Sequence, residues 1–336
     1  NEAPHLCVVV PLYRAEAQIL RVLEGIPAFV RGVVVVDDCS PDGSWTRVRL
    51  HSDPRVQLLR HDRNQGVGGA MLSGYRRARE LGAEVVVKMD ADGQMDPAWL
   101  LHLIRPILAG EADYTKGNRF LHARELKGMP FPRRIGNLAL SFLAKLASGY
   151  WGVFDPTNGY TAIHAAILPL LNERAIDRRF FFETSILVEL GLVGAVVKDV
   201  HIPARYGDET SNLSERSALL RFPPRLLRSC LRRIWVQHFI RDFGLFSIFL
   251  IAGSVLFAFG VGFGAYHWIH NWNLGVGTPL GTIMLSVLPI ILGVQLLLQA
   301  LVLDVQNAPA APLHRQAEQI RALRRLPGGD AAGGVL

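Results

Sequence analysis

The feature that most restricts the fold of this chain is a stretch of 61 residues, Phe243 to Leu303, that contains no Asp, Glu, Lys or Arg. About 20 apolar residues are enough for a helix to cross the hydrocarbon core of a bilayer. The stretch is therefore long enough for two passes and a short connection. We predict spans over about Leu245–Tyr266 and about Thr278–Leu303, joined by an aromatic loop at His267–Trp272.

Positive charge is concentrated at the outer ends of this predicted hairpin. Residues 1–213 are nearly neutral, with 25 Lys and Arg against 24 Asp and Glu, whereas residues 214–242 hold seven Arg against two acids. Basic residues also follow the second span, from Arg315 onward. Since basic segments stay on the cytoplasmic side, we expect a multi-pass protein of the cytoplasmic (inner) membrane with both termini in the cytoplasm. The start of the chain, Asn1–His5, has no signal-peptide pattern, which favours the same topology.

Residues 214–242 combine spaced Arg with Leu and Trp, a pattern typical of helices that lie in a membrane interface. Pro223-Pro224 predicts that this segment is divided into two interfacial amphipathic helices. A basic collar beside a membrane span suits an anionic lipid leaflet. Nucleic-acid binding would need basic residues on the folded domain, so no nucleic-acid partner is expected. The segment after Asn307, rich in Ala, Pro and Gly, is predicted to be a partly disordered tail.

The first 213 residues alternate between apolar runs and helical patterns. Continuous apolar runs are typical of strands that are buried on both faces of a parallel sheet. The predicted strands are Leu6–Val10, Gly32–Val36, Val56–Leu59, the run before Asp90 and a strand near Ala112–Lys116, and the predicted helices are Ala15–Ile26, about Val67–Leu81 and Pro97 to about Ala109. This alternation predicts an α/β domain with a doubly wound, mostly parallel sheet. The chain then divides into a globular domain (1–213), juxtamembrane helices (214–242), a transmembrane hairpin (243–304) and a cytoplasmic tail (305–336).

An apolar run at Val85–Val87 leads to two carboxylates and an amide, in Asp90, Asp92 and Gln94. A buried strand that ends in acids delivers them to the carboxyl edge of the sheet, where open α/β folds bind ligands. In extended chain the three residues alternate and project from one face, as oxygen ligands suited to Mg²⁺ or Mn²⁺. A strand end followed by a polar turn explains the same residues equally well.

A dinucleotide-binding domain is disfavoured, because its Gly-rich turn should directly follow the first strand and Pro11–Arg14 stands there instead. The glycines of Gly66–Gly69 open a later helix. Their backbone N–H groups could bind an anion at the helix N-terminus, and turn or close-packing roles explain these glycines equally well.

Four blocks of sequence, in this order and spacing, resemble family 2 glycosyltransferases of the GT-A fold. The blocks are Pro11-Leu12-Tyr13, Val36–Ser44, Arg63–Ala70 and Asp90–Gln94. With Lys116–Phe120, Asp155–Tyr160 and the predicted hairpin, the resemblance covers roughly residues 6–305. It is closest to the polyprenyl-phosphate hexose transferases, the group that includes dolichyl-phosphate mannose synthase and the bacterial bactoprenol glucosyltransferases.

The resemblance implies a nucleotide-sugar site at the sheet edge. Pro11, Tyr13 and Asp38 would hold the base and ribose of a UDP- or GDP-sugar, and Gly66 would lie beside the nucleotide. Asp90, Asp92 and Gln94 would coordinate the Mg²⁺ or Mn²⁺ that bridges the diphosphate. The family often has Asn-Glu after the Tyr, where this chain has Arg14-Ala15, so Glu16 would take the acidic role one place later.

The resemblance also implies an acceptor site for a lipid phosphate. Arg119, Arg133 and Arg134 would bind that phosphate, together with Arg205 and Ser211 of a mobile loop. A solvated basic loop is the alternative for residues 121–150, and Asn212 stands where the family often has Lys. Arginine suits the task because its planar fork grips a phosphate with two hydrogen bonds.

Two further carboxylates are candidates for contacts with the sugar. Asp155 would lie near the sugar, although a turn before Pro156 explains it too, and Glu183 would bind a sugar hydroxyl or serve only as a charge near a helix start. We assign catalytic roles to Asp92, Asp155 and Arg205.

The expected reaction is inverting transfer of a single hexose from a nucleotide-diphosphate sugar to polyprenyl phosphate at the cytoplasmic face. Two other readings remain open: a membrane-anchored transferase that extends a lipid-linked glycan, and a non-catalytic scaffold that binds nucleotide sugars. The predicted hairpin could also support a homo-oligomer, and the family resemblance suggests a separate flippase as a partner.

Overall fold

The computed structural model describes residues 4–118, 131–155, 158–179, 181–203 and 215–316, with the side chains of 131–137, 139–140 and 215–222 left out. The chain forms two compact units. The first comprises Asn1–Cys230 and Pro309–Leu336, and the second comprises Leu231–Ala308.

The described strands of the first unit form one seven-stranded sheet with the order β3-β2-β1-β4-β6-β5-β7. These strands are β1 (Leu6–Leu12), β2 (Gly32–Asp37), β3 (Val56–Arg60), β4 (Val85–Lys88), β5 (Tyr114–Asn118), β6 (Thr161–His164) and β7 (Val197–His201). β6 runs antiparallel between β4 and β5, and the other described strand pairs are parallel. The predicted α/β fold with a mostly parallel sheet is confirmed.

Helices cover both faces of the sheet. They are α1 (Ile19–Gly25), α2 (Ser44–Arg49), α3 (Val67–Glu80), α4 (Leu100–Leu108), α5 (Phe131–Ser148) and α6 (Phe182–Val193), with 3-10 turns at Pro97–Trp99 and Ala165–Leu170. Side chains of β1 alternate between two cores, because Val9 packs with Met71 and Phe182 on one face while Val8 packs with Ile19 on the other. A strand that is buried on both faces must be apolar throughout, which is why its sequence reads as a continuous run.

Strands β6 and β7 were not predicted from the sequence. β6 is only four residues long, and β7 contains Lys198 and Asp199, so neither shows an apolar run or a clean alternation. Each is held by pairing with neighbours that are distant in the chain. The predicted strand near Ala112–Lys116 lies two residues further on, at Tyr114–Asn118.

The second unit contains two helices that are long and apolar enough to cross a membrane, α8 (Leu245–Leu274) and α9 (Leu280–Gln306). Within their most apolar stretches, 22% of the residues of α8 and 17% of those of α9 are buried, so most of this apolar surface is exposed. The helices approach closely at small residues: a Cβ added to Gly253 would lie 3.0 Å from the Gly293 carbonyl oxygen. Such small-residue contacts are typical of helix pairs in membranes.

Three details of the predicted membrane half are corrected. α8 continues through His267–Trp272, which was predicted to be a loop, and ends before Gly275, whose φ is +67°. α9 extends past the predicted end at Leu303 and includes Asp304. The helix that precedes the hairpin, α7 (Glu215–Trp235), runs unbroken through Pro223-Pro224. Adjacent prolines remove backbone hydrogen bonds, but their fixed φ near −65° is itself a helical value.

Asp304 is buried at the end of α9 in a cluster of charged groups within the second unit. Arg233 grips its carboxylate with two hydrogen bonds, at 2.8 and 2.9 Å, and His238 Nε2 lies 3.2 Å from the same carboxylate. A bidentate guanidinium of this kind offsets much of the cost of burying a charge.

Candidate functional site

The candidate site lies at the carboxyl edge of the sheet, where several chain segments meet. Lys88, the last residue of β4, pairs with Thr161, the first residue of antiparallel β6. Thr161 also pairs with Lys116 of β5 on its other side. The segment that precedes β6, from Asn158 to Tyr160, is therefore brought to the same edge as the loop that follows β4.

The loop after β4 is a turn. β4 ends at Lys88, Gly93 has a φ of +76°, and the Gln94 N–H donates to Asp92 Oδ1 at 2.9 Å. The expectation that Asp90, Asp92 and Gln94 project from one face of extended chain is therefore wrong. The three oxygen-bearing side chains are carried by a turn instead, at the predicted edge of the sheet.

Asp90 is held by a residue that sequence reasoning did not assign, Lys88. The Lys88 ammonium is buried, with Nζ 2.6 Å from Asp90 Oδ1 and 3.4 Å from Glu183 Oε1. Burial alone lowers the pKa of Lys88, but the charges and hydrogen bonds of Asp90 and Glu183 outweigh it, so the pKa is raised and the ammonium stays charged. The signal in the sequence is a lysine at the end of a fully buried strand, since such a charge needs a partner.

Gly159 lies against Asp90. A Cβ added to Gly159 would be 2.8 Å from Asp90 Oδ2 and would also collide with Lys88 Nζ. Only a glycine lets the backbone of this loop approach the carboxylate so closely.

A second group of charges lies beside the first, on β5 and β7. The Lys116 ammonium is fully buried and donates to the Asn158 carbonyl oxygen, and burial lowers its pKa to about 8. Burial raises the pKa of Asp199 to about 6, although its Oδ2 accepts the Phe154 N–H at 2.8 Å and the Asn118 amide at 2.9 Å. Sequence reasoning did not assign roles to Lys116 and Asp199.

Asp155 lies inside this second group. Its carboxylate is buried. Its negative charge opposes the lowering of the Lys116 pKa by burial and adds to the raising of the Asp199 pKa. The contact of Asp155 with a sugar stays a prediction.

Asp38 organises the loop that opens α3. Its carboxylate accepts the N–H groups of Gln65 at 2.8 Å and Gly66 at 2.7 Å, and His61 Nδ1 lies 2.8 Å away. Gly69 donates its N–H to the Arg178 carbonyl oxygen. The amides of Gly66 and Gly69, which were candidates for binding an anion, are therefore used within the domain. The direct contact of Asp38 with ribose stays a prediction.

The loops after β1 and β2 are joined through Glu16. Its Oε2 accepts the Gly43 N–H at 3.0 Å and its Oε1 lies 3.5 Å from Arg47 Nε, while its own N–H donates to Asp42. Tyr13 beside it is 44% exposed, and the Arg14 guanidinium lies 5.3 Å from the Tyr13 ring centre. Tyr13 thus offers an exposed aromatic ring at the edge, next to Pro11.

Backbone strain marks the same two loops. Arg14 and Cys39 adopt left-handed conformations, with φ values of 54° and 59°. For residues other than glycine this costs on the order of 1 kcal/mol or more and is concentrated at functional sites. Each strained residue directly follows a predicted nucleotide contact, Tyr13 or Asp38.

The acceptor side of the prediction falls largely outside the described residues. Arg119, Arg205 and Ser211 lie in segments that the structure does not describe. Arg133 and Arg134 lie in the first turn of α5, and their side chains are likewise outside the described part.

The carboxylates that are described do not enclose a metal by themselves. Among the described residues, no group of three or more His, Cys, Asp or Glu side chains could hold a metal ion. A cation at this edge would need further oxygen ligands, such as the Gln94 amide and a bound diphosphate.

Comparisons with known proteins agree with this architecture. The sequence profile of Glycosyl transferase family 2 matches residues 7–169. The UDP-N-acetylglucosamine–dolichyl-phosphate N-acetylglucosaminyltransferase of Methanococcus voltae is 31% identical over 188 residues, which cover 52% of this chain and 74% of the relative. The undecaprenyl-phosphate mannosyltransferase of Micrococcus luteus is 32% identical over 173 residues, which cover 51% of this chain and 70% of the relative.

A solved structure shares the fold. Glucosyl-3-phosphoglycerate synthase from Mycobacterium tuberculosis, crystallised with Mn²⁺, UDP-glucose and phosphoglyceric acid, superposes with a TM-score of 0.51 at 21% identity. The match covers 69% of this chain and 80% of that one.

Proposed function

The chain belongs to glycosyl transferase family 2, and from that premise we propose that it transfers a single hexose from a UDP- or GDP-sugar to polyprenyl phosphate, with inversion at the anomeric carbon. The observation that carries the proposal is the similarity to transferases whose names specify dolichyl phosphate and undecaprenyl phosphate as acceptors. The two long apolar helices support it, since they suit an enzyme whose acceptor resides in a membrane.

In this proposal Asp90, Asp92 and Gln94 hold a divalent cation. Their carboxylate and amide oxygens fit Mg²⁺ or Mn²⁺, which are bound by one or two carboxylates together with substrate phosphates. The need for such outside ligands agrees with the small number of acids at the turn. When bound, the cation would stabilise the negative charge of the departing nucleoside diphosphate. Lys88 fixes Asp90 Oδ1, and Gly159 lies against Asp90 Oδ2.

The nucleoside would lie across the loops after β1 and β2. Tyr13 offers an exposed ring to the base, and Pro11 stands two residues earlier, near the end of β1. Asp38 would contribute chiefly by ordering the loop at Gly66, because both of its oxygens accept backbone N–H groups. Glu16 joins the two loops and would keep their spacing fixed.

The acceptor phosphate would be bound by arginines, with Arg119, Arg133, Arg134, Arg205 and Ser211 in this role. A phosphate monoester is already ionised near neutral pH, with a second pKa of about 6, so its attack on the sugar does not require a strong base. Asp155, buried beside Lys116, would orient the sugar or stabilise its positive charge in the transition state.

The hairpin would keep the catalytic unit at the cytoplasmic face of the membrane. Residues that directly follow it belong to the catalytic unit, since Leu313 and His314 donate hydrogen bonds to Asp113. Basic residues flank both outer ends of the hairpin, which supports two crossings with both termini cytoplasmic.

A donor screen tests the proposal. The full chain in detergent is incubated with labelled UDP-glucose, UDP-galactose, UDP-N-acetylglucosamine or GDP-mannose, Mg²⁺ or Mn²⁺, and one short-chain polyprenyl phosphate. We expect an acid-labile monosaccharide lipid from one donor and no product after chelation of the metal. Transfer only to an already glycosylated acceptor would favour a glycan-extending enzyme, and diphosphate binding without any transfer would favour a scaffold.

A further inference from the structure

We propose that Lys88 is a positioning residue of the candidate cation site, which holds Asp90 in place and makes cation binding depend on the nucleotide diphosphate. This inference rests on the proposed function. It starts from one geometric fact: a buried ammonium lies between two carboxylates of different elements, Asp90 after β4 and Glu183 in the first turn of α6.

Lys88 has little freedom to leave this position. Its backbone is paired with β1 on one side and β6 on the other, and its side chain is 1% exposed. The backbone of Gly159 covers the ammonium, since a Cβ there would collide with it. A buried charge that lost both partners would be strongly unfavourable, so the ammonium is bound to this pair of carboxylates.

The contact with Asp90 fixes one carboxylate oxygen and thereby the orientation of the other. Lys88 Nζ lies 2.6 Å from Asp90 Oδ1, a short charge-assisted hydrogen bond. A ligand held from one side keeps its geometry when a cation arrives at the other, as bound metal ligands generally require a supporting contact. Lys88 is thus placed to support Asp90 and not to bind the cation.

The same charge opposes a cation that arrives alone. A divalent ion on Asp90 would be repelled by the neighbouring ammonium, and the interior of the protein screens this repulsion poorly. A nucleotide diphosphate brings negative charge that offsets the repulsion. Binding of the cation and the nucleotide should therefore be strongly coupled, because each removes an obstacle to the other.

Glu183 gives Lys88 a second partner in the loaded state. At 3.4 Å its Oε1 is close enough to pair with the ammonium after a cation has drawn charge from Asp90. The lysine then remains neutralised without moving out of the core. This gives Glu183 a role that needs no contact with the sugar.

Binding of Mn²⁺ to the full chain in detergent tests the inference without any turnover. Mn²⁺ affinity is measured by electron paramagnetic resonance or calorimetry, alone and with saturating UDP or GDP, for wild type, Lys88→Met and Lys88→Arg. Lys88→Met removes both the repulsion and the support of Asp90, so the deciding quantity is the coupling: saturating diphosphate should improve its Mn²⁺ affinity about tenfold less than it improves that of wild type. Lys88→Arg keeps the charge and should retain most of the coupling.

Two further variants separate a positioning role from a structural one. Glu183→Gln leaves Lys88 with Asp90 alone, so Mn²⁺ binding without nucleotide should weaken and the gain from the diphosphate should grow, which is the opposite change in coupling to that of Lys88→Met. Lys198→Met removes an exposed lysine that pairs with Glu111 elsewhere on the domain and should change nothing. If Lys88→Met fails to fold, the coupling in Glu183→Gln still decides the question, because an unchanged or smaller gain from the diphosphate would overturn the inference.

The outcomes separate the failure of this inference from the failure of the proposed function on which it rests. Wild type that binds Mn²⁺ with a diphosphate, together with a Lys88→Met variant of unchanged coupling, overturns the role of Lys88 alone. Wild type that binds no Mn²⁺ with either diphosphate overturns the cation site itself, and the role of Lys88 with it.

Discussion

Two carboxylates, Asp113 before β5 and Asp199 on its partner strand β7, differ in how completely their hydrogen bonds are satisfied. Asp113 directly precedes β5 at the amino edge of the sheet, and its oxygens accept four hydrogen bonds: from the Val196, Leu313 and His314 N–H groups and from His314 Nδ1. Asp199 lies on β7 beside the candidate site. Its Oδ1 is shielded from solvent and has no hydrogen-bond partner among the described residues.

The pKa values follow this difference. Burial alone raises the pKa of Asp113, but the hydrogen bonds from His314, Val196 and Leu313 outweigh it and the pKa is lowered. For Asp199 burial prevails, and the pKa is raised to about 6. A fully bonded carboxylate stabilises the fold, whereas an incompletely bonded one keeps capacity for a ligand at a cost in stability. This contrast agrees with a stabilising role for Asp113 and with the binding role that we propose for the carboxyl edge.

The largest expected effect is on activity, at the carboxyl edge. Asp92→Ala should lower turnover about a thousandfold or more at any Mg²⁺ or Mn²⁺ concentration, because it removes a proposed ligand of the cation that stabilises the leaving group. Its free energy of unfolding should change by less than about 1 kcal/mol, since the side chain lies in a partly exposed turn. Glu80→Ala, which removes an exposed carboxylate of α3, is the control. Near-normal turnover of Asp92→Ala in the sugar-transfer assay would overturn the assignment of Asp92 as a ligand of the cation.

The next largest effect is on stability, at the amino edge. Asp113→Ala leaves three backbone N–H groups and a buried His314 without their acceptor, and should lower the free energy of unfolding by about 3 to 5 kcal/mol. His314→Ala keeps the backbone hydrogen bonds and should cost about 1 to 2 kcal/mol, for the lost side-chain bond and the stacking on His164 at 4.4 Å. Urea unfolding followed by tryptophan fluorescence measures both. Turnover per folded molecule should stay unchanged, and a selective loss of turnover would mean that the two edges are not separate.

A smaller effect distinguishes the two carboxylates by pH. The folded-state pKa of Asp199 is raised to about 6, so the folded protein binds this proton more tightly than the unfolded chain does. The resulting stabilisation is fully present below about pH 4 and is lost as the pH rises through about 6. Asp113 has a lowered pKa, and its contribution is present above the unfolded-state pKa and lost as the pH falls below it. Relative to Asp199→Asn, wild type should thus lose on the order of 2 kcal/mol between pH 4 and 7. Urea titrations of the two proteins at both pH values test this. A pH-independent difference would show that folding does not raise the pKa of Asp199.

The sequence predicts the part of this fold that depends on local pattern. The apolar runs of β1, β2 and β4 identify strands because both of their faces are covered, as Val8 and Val9 show by entering opposite cores. The sequence does not predict β6 or β7, because short strands with polar residues depend on partners far along the chain. It also predicts a break at Pro223-Pro224 where the helix continues, since proline weakens a helix without forbidding helical angles.

The candidate site likewise has a part that local sequence predicts and a part that depends on contacts between distant residues. Asp90, Asp92 and Gln94 are predicted to be ligands from their spacing within one loop together with the family resemblance. The contacts of Lys88 that hold Asp90 are not predicted from the sequence, because Lys88 contacts Glu183 only after α6 has packed on the sheet. The same holds for Asp113, whose partner His314 is 201 residues away. A tail predicted to be partly disordered thus supplies, at its start, a buried contact of the catalytic unit.

The smallest predicted effect concerns the closest backbone approach at the carboxyl edge. Gly159→Ala places a methyl group 2.8 Å from Asp90 Oδ2 and against the Lys88 ammonium, so Asp90 must shift by a few tenths of an ångström or more. We expect turnover to fall about tenfold, through misplacement of the proposed cation ligand. Gly152→Ala is the matched control, because its added Cβ would have no heavy atom within 4 Å among the described residues. Parallel assays of the two variants, with Mn²⁺ binding measured on each, locate the effect. A loss of turnover in Gly159→Ala with unchanged Mn²⁺ binding would place the sensitive contact elsewhere than at Asp90, and equal turnover in both variants would show that the edge tolerates displacement there.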